Sequence, residues 1–435
     1  MRLLVVTYYF PPSGGAGVQR PLKWVKYLPA AGITPVVLTV REGAYPHLDR
    51  GMAADVPAGV EVVRTAAPDP FGAYARLTGR SRDEAVASRT GHVGDSPALA
   101  ERVARWVRAN VFVPDARVGW VPFAIRAARQ VHAAHPVDAV LTTGPPHSAH
   151  LVGRALKRRL GLPWVADFRD PWTEIHYLDA LGRSARTQRR DAALEASVLR
   201  EADAVVTVSD PLRDSLRALA PGARVETIRN GFDPNDFATP APPVRADRFE
   251  VAYVGTLYAV PQALLEALAA VHADEPRVHL RVVGSVPDGF AEAVRAHGLA
   301  EAVTVEPPVS HEVAIAIMRE GALLVLTIEA WSYARAVVPG KTYEYLASGR
   351  PVVGLGPPDG EAAAILRAAG AGEMYAPHDA AGVETWLRRH VAAWWAHVPL
   401  IGAREDATAA FARPVQATRV AAVIGEAVRC AQARR

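Results

Sequence analysis

Two short segments of the chain combine glycine with residues that could bind an anion. The first reads PPSGGAGVQR, in which Gly14, Gly15 and Gly17 follow a buried-strand pattern and precede the apolar spacing of an amphipathic helix. Glycines let backbone amides approach an anion closely, and the positive end of the helix completes such a site. The segment therefore predicts a phosphate-binding turn, with a plain turn as the alternative.

The glycine segment departs from the dinucleotide-binding fingerprint. That fingerprint places G-x-G-x-x-G tightly after the strand, whereas six residues separate Thr7 from Gly14 and the last glycine position holds Arg20. Pro21 is expected in the first turn of the helix, where a missing N–H costs nothing. The spacing excludes a standard dinucleotide loop and leaves the phosphate-binding turn open.

The second segment reads VVPGKTYEYLASGRP and predicts a helix that begins near Gly340 and ends at Gly349. Lys341 and Glu344 are three residues apart, so a cation and a carboxylate share one face near the amino end of the helix. The carboxylate can accept two hydrogen bonds from a ribose diol, while Lys341 and free amides hold phosphate. On spacing alone, an ordinary salt bridge on a solvated face is the stronger interpretation.

The second segment also imitates the end of a Walker A loop at Gly340, Lys341 and Thr342. The first glycine of that motif would fall at position 335, which is Arg335. The sequence therefore excludes a P-loop NTPase.

Both segments must be positioned by strands and helices, and the chain alternates short β-branched runs with longer helical patterns. Such alternation predicts parallel sheets with crossover helices on both faces. The predicted strands are 3–7, 34–40, 60–64, 138–142, 164–168, 203–208, 225–229, 250–255, 279–284, 302–306, 322–327 and 351–355. In such sheets, ligands bind beyond the carboxyl ends of the strands.

The proline-rich stretch 230–250 separates the two series of strands and is predicted to be a linker. We infer two doubly wound α/β domains, at 1–235 and 245–407. A helix at about 408–435 is expected to follow, and it could pack back on the first domain.

Composition narrows the class of protein. The 435 residues suffice for a sizeable core, and a net charge of +4 is too small to argue for nucleic acid. The single cysteine, Cys430, cannot form an internal disulfide and fits a reducing cytoplasm, and no Cys/His spacing resembles a zinc site. No apolar run is long enough to span a membrane, so membrane contact would be peripheral.

One long excursion, 66–135, carries Trp106, Trp120 and Phe123 among arginines. This combination fits an interfacial helix or an acceptor-binding excursion. An ordinary helix hairpin packed on the sheet fits it equally well.

Several motifs together resemble family-4 and related GT-B glycosyltransferases. VPGKTYEYLASGRPV resembles their donor-binding helix, and PPSGGAGVQR resembles their amino-terminal glycine loop. Further matches occur in the same order and cover nearly the whole chain: TTGPPHSAH, PWVADFRDPWT, VTVSDPLRDSL, IRNGFDPNDF and YVGTLY.

The resemblance implies a GT-B fold, with two Rossmann-like domains facing an interdomain cleft. It also implies an amino-terminal acceptor domain, a carboxyl-terminal domain that holds a UDP-, GDP- or dTDP-linked sugar, and no metal or other cofactor. Glu344 would bind the donor ribose and Lys341 the pyrophosphate. The implied donor-binding residues are Gly14, Gly15, Gly17, Gly255, Thr256, Arg335, Gly340, Lys341, Thr342 and Glu344.

By position, His147 matches a histidine that touches the transferred sugar, and Asp170 is the second candidate for direct assistance. Two departures concern the donor site. Related enzymes carry a second glutamate where this chain has Ala336, and the loop after Gly255 lacks their usual diphosphate-binding cation. Arg335, Lys341 or Arg169 are the candidates to replace that charge.

The resemblance predicts a retaining, hexosyl-type transfer from a nucleotide sugar to a saccharide, lipid-linked or small-molecule acceptor. Assembly of cell-surface polysaccharide or glycolipid is the expected role, in the cytoplasm or at the inner face of the cell membrane. Three alternatives remain open: glycosylation of a soluble natural product, a GT-B sugar-nucleotide epimerase, and a nucleotide-sugar-binding module without turnover.

Overall fold

The structure is a computed structural model that describes residues 1–43, 45, 48–49, 51–68, 106–175, 178, 181–240 and 242–434. The chain divides into two compact units: unit 1 comprises Met1–Arg229 with Arg413–Arg435, and unit 2 comprises Asn230–Ala412. Much of the excursion at 66–135 lies outside the described residues.

Unit 1 is built on a seven-stranded parallel sheet in the order β3-β2-β1-β4-β5-β6-β7. Its strands lie within two residues of the predicted ones, because buried parallel strands read as continuous apolar runs. They are β1 (Arg2–Val6), β2 (Thr34–Val40), β3 (Glu61–Thr65), β4 (Ala139–Gly144), β5 (Trp164–Phe168), β6 (Ala204–Thr207) and β7 (Val225–Thr227).

Helices cover both faces of the first sheet. Along β1, Leu4 and Val6 belong to one apolar cluster, and Leu3 and Val5 to another on the opposite face. The described helices of unit 1 are α1 (Ala16–Tyr27), α2 (Val121–Ala134), α3 (Ser148–Leu160), α4 (Ala185–Glu201), α5 (Asp210–Leu219) and, at the end of the chain, α13 (Arg413–Ala433). Helix α13 packs against α1.

Unit 2 repeats this plan with a six-stranded parallel sheet in the order β10-β9-β8-β11-β12-β13. Its strands are β8 (Phe249–Val254), β9 (Val278–Val283), β10 (Val303–Glu306), β11 (Leu323–Thr327), β12 (Val352–Leu355) and β13 (Gly372–Tyr375). Its described helices are α6 (Gln262–Asp274), α7 (Phe290–Ala296), α8 (His311–Glu320), α9 (Lys341–Ser348), α10 (Glu361–Ala369), α11 (Ala380–Trp395) and α12 (Glu405–Ala409).

Residues 230–235 lie in unit 2, although the sequence analysis assigned them to the first domain. The amide of Phe232 donates to the carbonyl of Phe411 at 3.2 Å, and the Phe232 ring packs edge-on against Phe237. These contacts draw the start of the proline-rich stretch into the core of unit 2.

Each sheet reverses its winding once, between β1 and β4 in unit 1 and between β8 and β11 in unit 2. In doubly wound sheets, the crevice at the carboxyl ends of such neighbouring strands is the usual ligand site. The predicted site residues follow β1, β4 and β5 in unit 1, and β8 and β11 in unit 2.

The aromatic residues of the long excursion have different environments. Trp120 is only 1% exposed, and its indole N–H donates to Thr65 Oγ1 at 2.7 Å, so it is a core residue. Trp106 and Phe123 are exposed. Among the described residues, no helix is both long and apolar enough to span a membrane.

Candidate functional site

The glycine loop of unit 1 leads directly into α1. Gly15 caps the helix with a φ of 97°, a conformation that favours glycine, and Gly14 is buried beside it. The Val18 amide donates to the Gly15 carbonyl at 3.0 Å, which closes the first turn. The loop is therefore a short glycine turn at a helix amino end, at the carboxyl edge of β1.

Pro21 lies inside α1, and the prediction that placed it in the first turn is wrong because the helix begins at Ala16. Proline has no N–H, so the carbonyl four residues earlier, that of Gly17, receives no helical hydrogen bond from it. Arg169 Nη1 donates to this Gly17 carbonyl at 2.6 Å. The proline thus leaves the Gly17 carbonyl as an acceptor for Arg169, which directly follows β5.

Arg169 ties three backbone carbonyls together. Besides Gly17, its Nε donates to the Gly144 carbonyl at 3.1 Å and its Nη2 to the Pro145 carbonyl at 2.6 Å. These carbonyls lie in the first turn of α1, at the end of β4 and in the loop after β4, so one guanidinium joins the start of α1 to the loop that carries His147. The structure therefore gives Arg169 a bracing role within unit 1. The diphosphate contact suggested from the sequence stays a prediction.

A second arginine joins α1 to the sheet of unit 1. Arg20, on α1, forms an ion pair with Asp167 on β5 at 3.0 Å, and both side chains are at most 1% exposed. Thr143 Oγ1 donates to Asp167 at 2.7 Å. Arg20, which occupies the last glycine position of the dinucleotide fingerprint, therefore neutralises a buried carboxylate. The Arg20–Asp167 pair was not predicted, although an aspartate inside a buried strand indicates a buried partner.

His147 lies at the start of α3 in a stack of rings. Its imidazole stacks on Trp172 with centroids 5.0 Å apart, and neither ring nitrogen has a hydrogen-bond partner of good geometry among the described residues. Burial lowers the pKa of His147 to about 3, with a smaller contribution from the Arg169 charge and an opposing one from the Pro171 carbonyl. At neutral pH the ring is therefore an uncharged imidazole.

The amino end of α3 is capped by a residue distant in sequence. Asp115 accepts from the Ser148 amide at 2.8 Å and from Ser148 Oγ at 3.0 Å. His147 makes no capping bond with its side chain, so its imidazole is not committed to the helix end. Asp170 follows Arg169 in the loop after β5 and is partly exposed. The capping role of Asp115 was not predictable from the sequence, because nothing near Asp115 in sequence predicts a helix that it could cap.

In unit 2, Lys341 reaches back over β8 from the first residue of α9. Its Nζ lies 4.0 Å from the centroid of the Tyr253 ring. Gly255 has a φ of 120°, and a Cβ at this position would come within 2.9 Å of Lys341 Nζ. Glycine is therefore required at position 255 for the lysine to lie against the strand end. Burial lowers the pKa of Lys341 to about 8, and the Glu344 charge opposes this shift.

Glu344 lies one turn further along α9 and is partly exposed. Its Oε1 is 3.9 Å from His311 Nε2, which in turn lies 3.2 Å from Asp236 Oδ2. Because Lys341 and Glu344 are three residues apart in α9, they occupy one face of the helix, as predicted. The proximity of His311 to Glu344 was not predicted from the sequence.

The remaining donor-site residues have different environments. Thr342 is buried, and its hydroxyl lacks a partner within the described chain. The Thr342 amide donates to the Pro339 carbonyl at 3.0 Å, and the Tyr343 amide to that of Gly340 at 3.2 Å. Within the part of the chain that the structure describes, the amides of Gly340 and Lys341 have no backbone partner and so remain for an anion.

Thr256 and Arg335 are both exposed but have different contacts. Thr256 is exposed directly after Gly255, and its carbonyl accepts from the Tyr253 hydroxyl at 2.7 Å. Arg335 is 74% exposed and forms an ion pair with Asp359 at 2.9 Å. It would have to leave that pair to reach a diphosphate. Within the described ranges, His, Cys, Asp and Glu side chains form no cluster of three suited to a metal ion.

Sequence comparison identifies the family. Residues 85–236 match the domain family described as Glycosyltransferase Family 4, and residues 248–391 match that described as Glycosyl transferases group 1. Together the two matches span more than half of the chain. The chain therefore belongs to the GT-B, family-4-like glycosyltransferases, which confirms the predicted fold class of two Rossmann-like domains. A comparison with curated proteins finds no match.

Solved structures show the same fold over almost the entire chain. Sucrose-phosphate synthase from Thermosynechococcus elongatus aligns with a TM-score of 0.61 and 15% identity over 98% of both chains. Anabaena HepE in complex with UDP and glucose gives 0.60 and 16%, over 98% of this chain and 100% of its own. WaaG, a glycosyltransferase involved in lipopolysaccharide biosynthesis, gives 0.53 and 15%, over 97% and 95%.

Proposed function

We propose that the protein is a retaining glycosyltransferase that takes a sugar from a nucleoside diphosphate without a metal or other cofactor. The observation that carries this proposal is the arrangement of Lys341 against Gly255 and the Tyr253 ring, with Glu344 one helical turn away. The structural relative from Anabaena contains UDP and glucose, which supports a nucleotide-sugar donor for this chain.

The proposed chemistry depends on stabilising the departing nucleoside diphosphate. Negative charge accumulates on the diphosphate as the glycosidic bond breaks, and preorganised donors aimed at that charge lower the barrier most. The Lys341 ammonium and the amides at the amino end of α9 are such donors. Glu344 would accept hydrogen bonds from the ribose hydroxyls and so set the register of the nucleotide.

Unit 1 would serve the sugar and the acceptor. The neutral His147 imidazole can exchange a hydrogen bond with a sugar hydroxyl, since neither ring nitrogen has a partner of good geometry among the described residues. Asp170 is the second group proposed to assist. Retention follows the family resemblance, in which the leaving diphosphate itself accepts the proton of the acceptor hydroxyl.

The proposed acceptor is a saccharide or lipid-linked sugar of cell-surface polysaccharide or glycolipid assembly. Exposed Trp106, Val111 and Phe123 in unit 1 would suit an apolar acceptor or a membrane surface. The structural similarity to WaaG, a glycosyltransferase involved in lipopolysaccharide biosynthesis, supports the same proposal. We propose a cytoplasmic protein with peripheral membrane contact, in line with its single, exposed cysteine.

The direct test is incubation with UDP-, GDP- and dTDP-linked sugars, with and without acceptor extracts, scored by nucleotide release and by product anomer. Acceptor-dependent release with retained configuration, unaffected by chelator, is expected. Conversion of the sugar nucleotide into its epimer would instead identify an epimerase. Tight binding of every donor without turnover of any would identify a binding module.

The affinity for the nucleoside diphosphate is expected to fall as pH rises from 7 to 9. Lys341, whose pKa is about 8, is charged below this range and loses its proton within it, so attraction to the diphosphate weakens, by about tenfold. Tyr253 has a pKa raised to about 12 by burial and stays neutral throughout. Calorimetry at several pH values measures the effect. The Lys341→Arg variant stays charged and should give the flatter profile; equal slopes for both proteins would contradict the assignment.

A further inference from the structure

The loops after β8 and β11 carry a group of aromatic rings that the nucleotide site does not use. Tyr258 follows β8 and is 68% exposed, and its ring meets that of Trp331, after β11, edge-on at 6.3 Å. Trp331 also stacks on Tyr333 at 5.8 Å and is partly buried against the core of unit 2. The rings are therefore anchored on one side and open on the other.

A carboxylate lies in the same loop, two residues before Trp331. The Glu329 carbonyl accepts from the Trp331 amide at 2.8 Å, while the Glu329 carboxylate makes no hydrogen bond or ion pair with the described residues. Burial raises the pKa of this carboxyl. Its charge also acts on the Tyr253 hydroxyl, so it lies close to the ring that carries Lys341.

A partly buried carboxylate without a partner costs free energy unless a ligand supplies donors. Carbohydrate hydroxyls are such donors, and the C–H face of a pyranose packs well on an aromatic ring. The switch point between β8 and β11 is where a doubly wound sheet binds its ligand. The rings and the carboxylate thus lie on the two loops that flank this switch point, the loops after β8 and β11.

We propose that Trp331, Tyr258 and Glu329 form a pyranose subsite for the sugar of the donor, with the rings against its apolar face and the carboxylate accepting from its hydroxyls. This inference rests on the proposed function, since it extends the nucleotide site. In this proposal, the loops after β8 and β11 determine which sugar the donor site accepts. The nucleotide itself is held by Lys341 and Glu344.

The test compares binding of a nucleoside diphosphate with binding of its sugar conjugates by calorimetry. In Trp331→Ala and Glu329→Gln, the extra affinity of the conjugate over the bare nucleotide is expected to fall about tenfold, with the nucleotide affinity unchanged. Trp395→Ala and Glu266→Gln, exposed positions elsewhere in unit 2, are matched controls that should leave both affinities unchanged. Circular dichroism verifies folding of each variant.

Two results would overturn the subsite. One is an unchanged ratio of the two affinities, and the other is an equal loss for nucleotide and conjugate, which would mean that the rings hold the base. If the wild-type protein binds no nucleotide, the proposed function fails, and saturation-transfer NMR with free monosaccharides then decides the subsite alone. Transfer that disappears in Trp331→Ala supports it; absence of transfer in the wild-type protein rejects it.

Discussion

Replacing Arg169 with alanine is expected to lower kcat by about 100-fold while leaving nucleotide affinity unchanged. Arg169 holds the carbonyls of Gly17, Gly144 and Pro145, so its loss frees the glycine loop and the His147 loop from each other. A displacement of about 1 Å in a group that positions substrate is enough for a loss of this size. Turnover is measured as acceptor-dependent nucleotide release, and affinity by calorimetry.

Two further variants separate positioning from simple destabilisation. Arg169→Lys keeps the charge but has one nitrogen where the guanidinium has three, so it should recover only part of kcat. Arg158→Ala removes an exposed arginine of the same unit, paired with Glu201, and should leave kcat unchanged. The pKa of His147, followed by NMR, should rise in Arg169→Ala and stay low in Arg169→Lys, because the Arg169 charge helps to lower it. A loss of thermal stability with unchanged kcat would show a purely structural role.

The strands of both sheets were predictable because the pattern that indicates each strand is local in sequence. Buried parallel strands are short apolar runs between helices, and twelve of the thirteen described strands were found to within two residues. Strand β13 was missed because Gly372, Glu373, Met374 and Tyr375 include no β-branched residue and the strand lies at the sheet edge. Strand β13 forms through its parallel pairing with β12, although its own sequence does not indicate a strand.

The bracing of unit 1 was not predictable, since it joins residues far apart in sequence. Arg169 and Gly17 are separated by 152 positions, and Arg20 and Asp167 by 147. The motifs suggested Arg169 as one of three candidate cations for the diphosphate, whereas in the structure its guanidinium donates to three backbone carbonyls. The position of Lys341 and Glu344 on one face of α9 was predictable from the sequence, because helix periodicity alone brings residues three apart to the same face.

Replacing Glu344 with alanine is expected to weaken nucleotide binding by about 100-fold or more. The carboxylate would accept two hydrogen bonds from the ribose, and hydrogen bonds to a charged group contribute about 1.5–3 kcal/mol each. Calorimetry with the nucleoside diphosphate that binds best measures the loss. Glu266→Ala, on the exposed face of α6, is the matched control and should bind as the wild-type protein does.

A 2′,3′-dideoxy form of the same nucleotide shows whether the lost contact is with the ribose. The wild-type protein should bind it about as weakly as Glu344→Ala binds the full nucleotide, and the variant should no longer distinguish the two ligands. Because Glu344 also lies 3.9 Å from His311, His311→Ala is needed beside it to show that the effect does not arise through that neighbour. If Glu344→Ala still prefers the intact ribose as strongly as the wild-type protein, the carboxylate does not bind the diol, and Glu344 instead belongs to the polar cluster with His311 and Asp236.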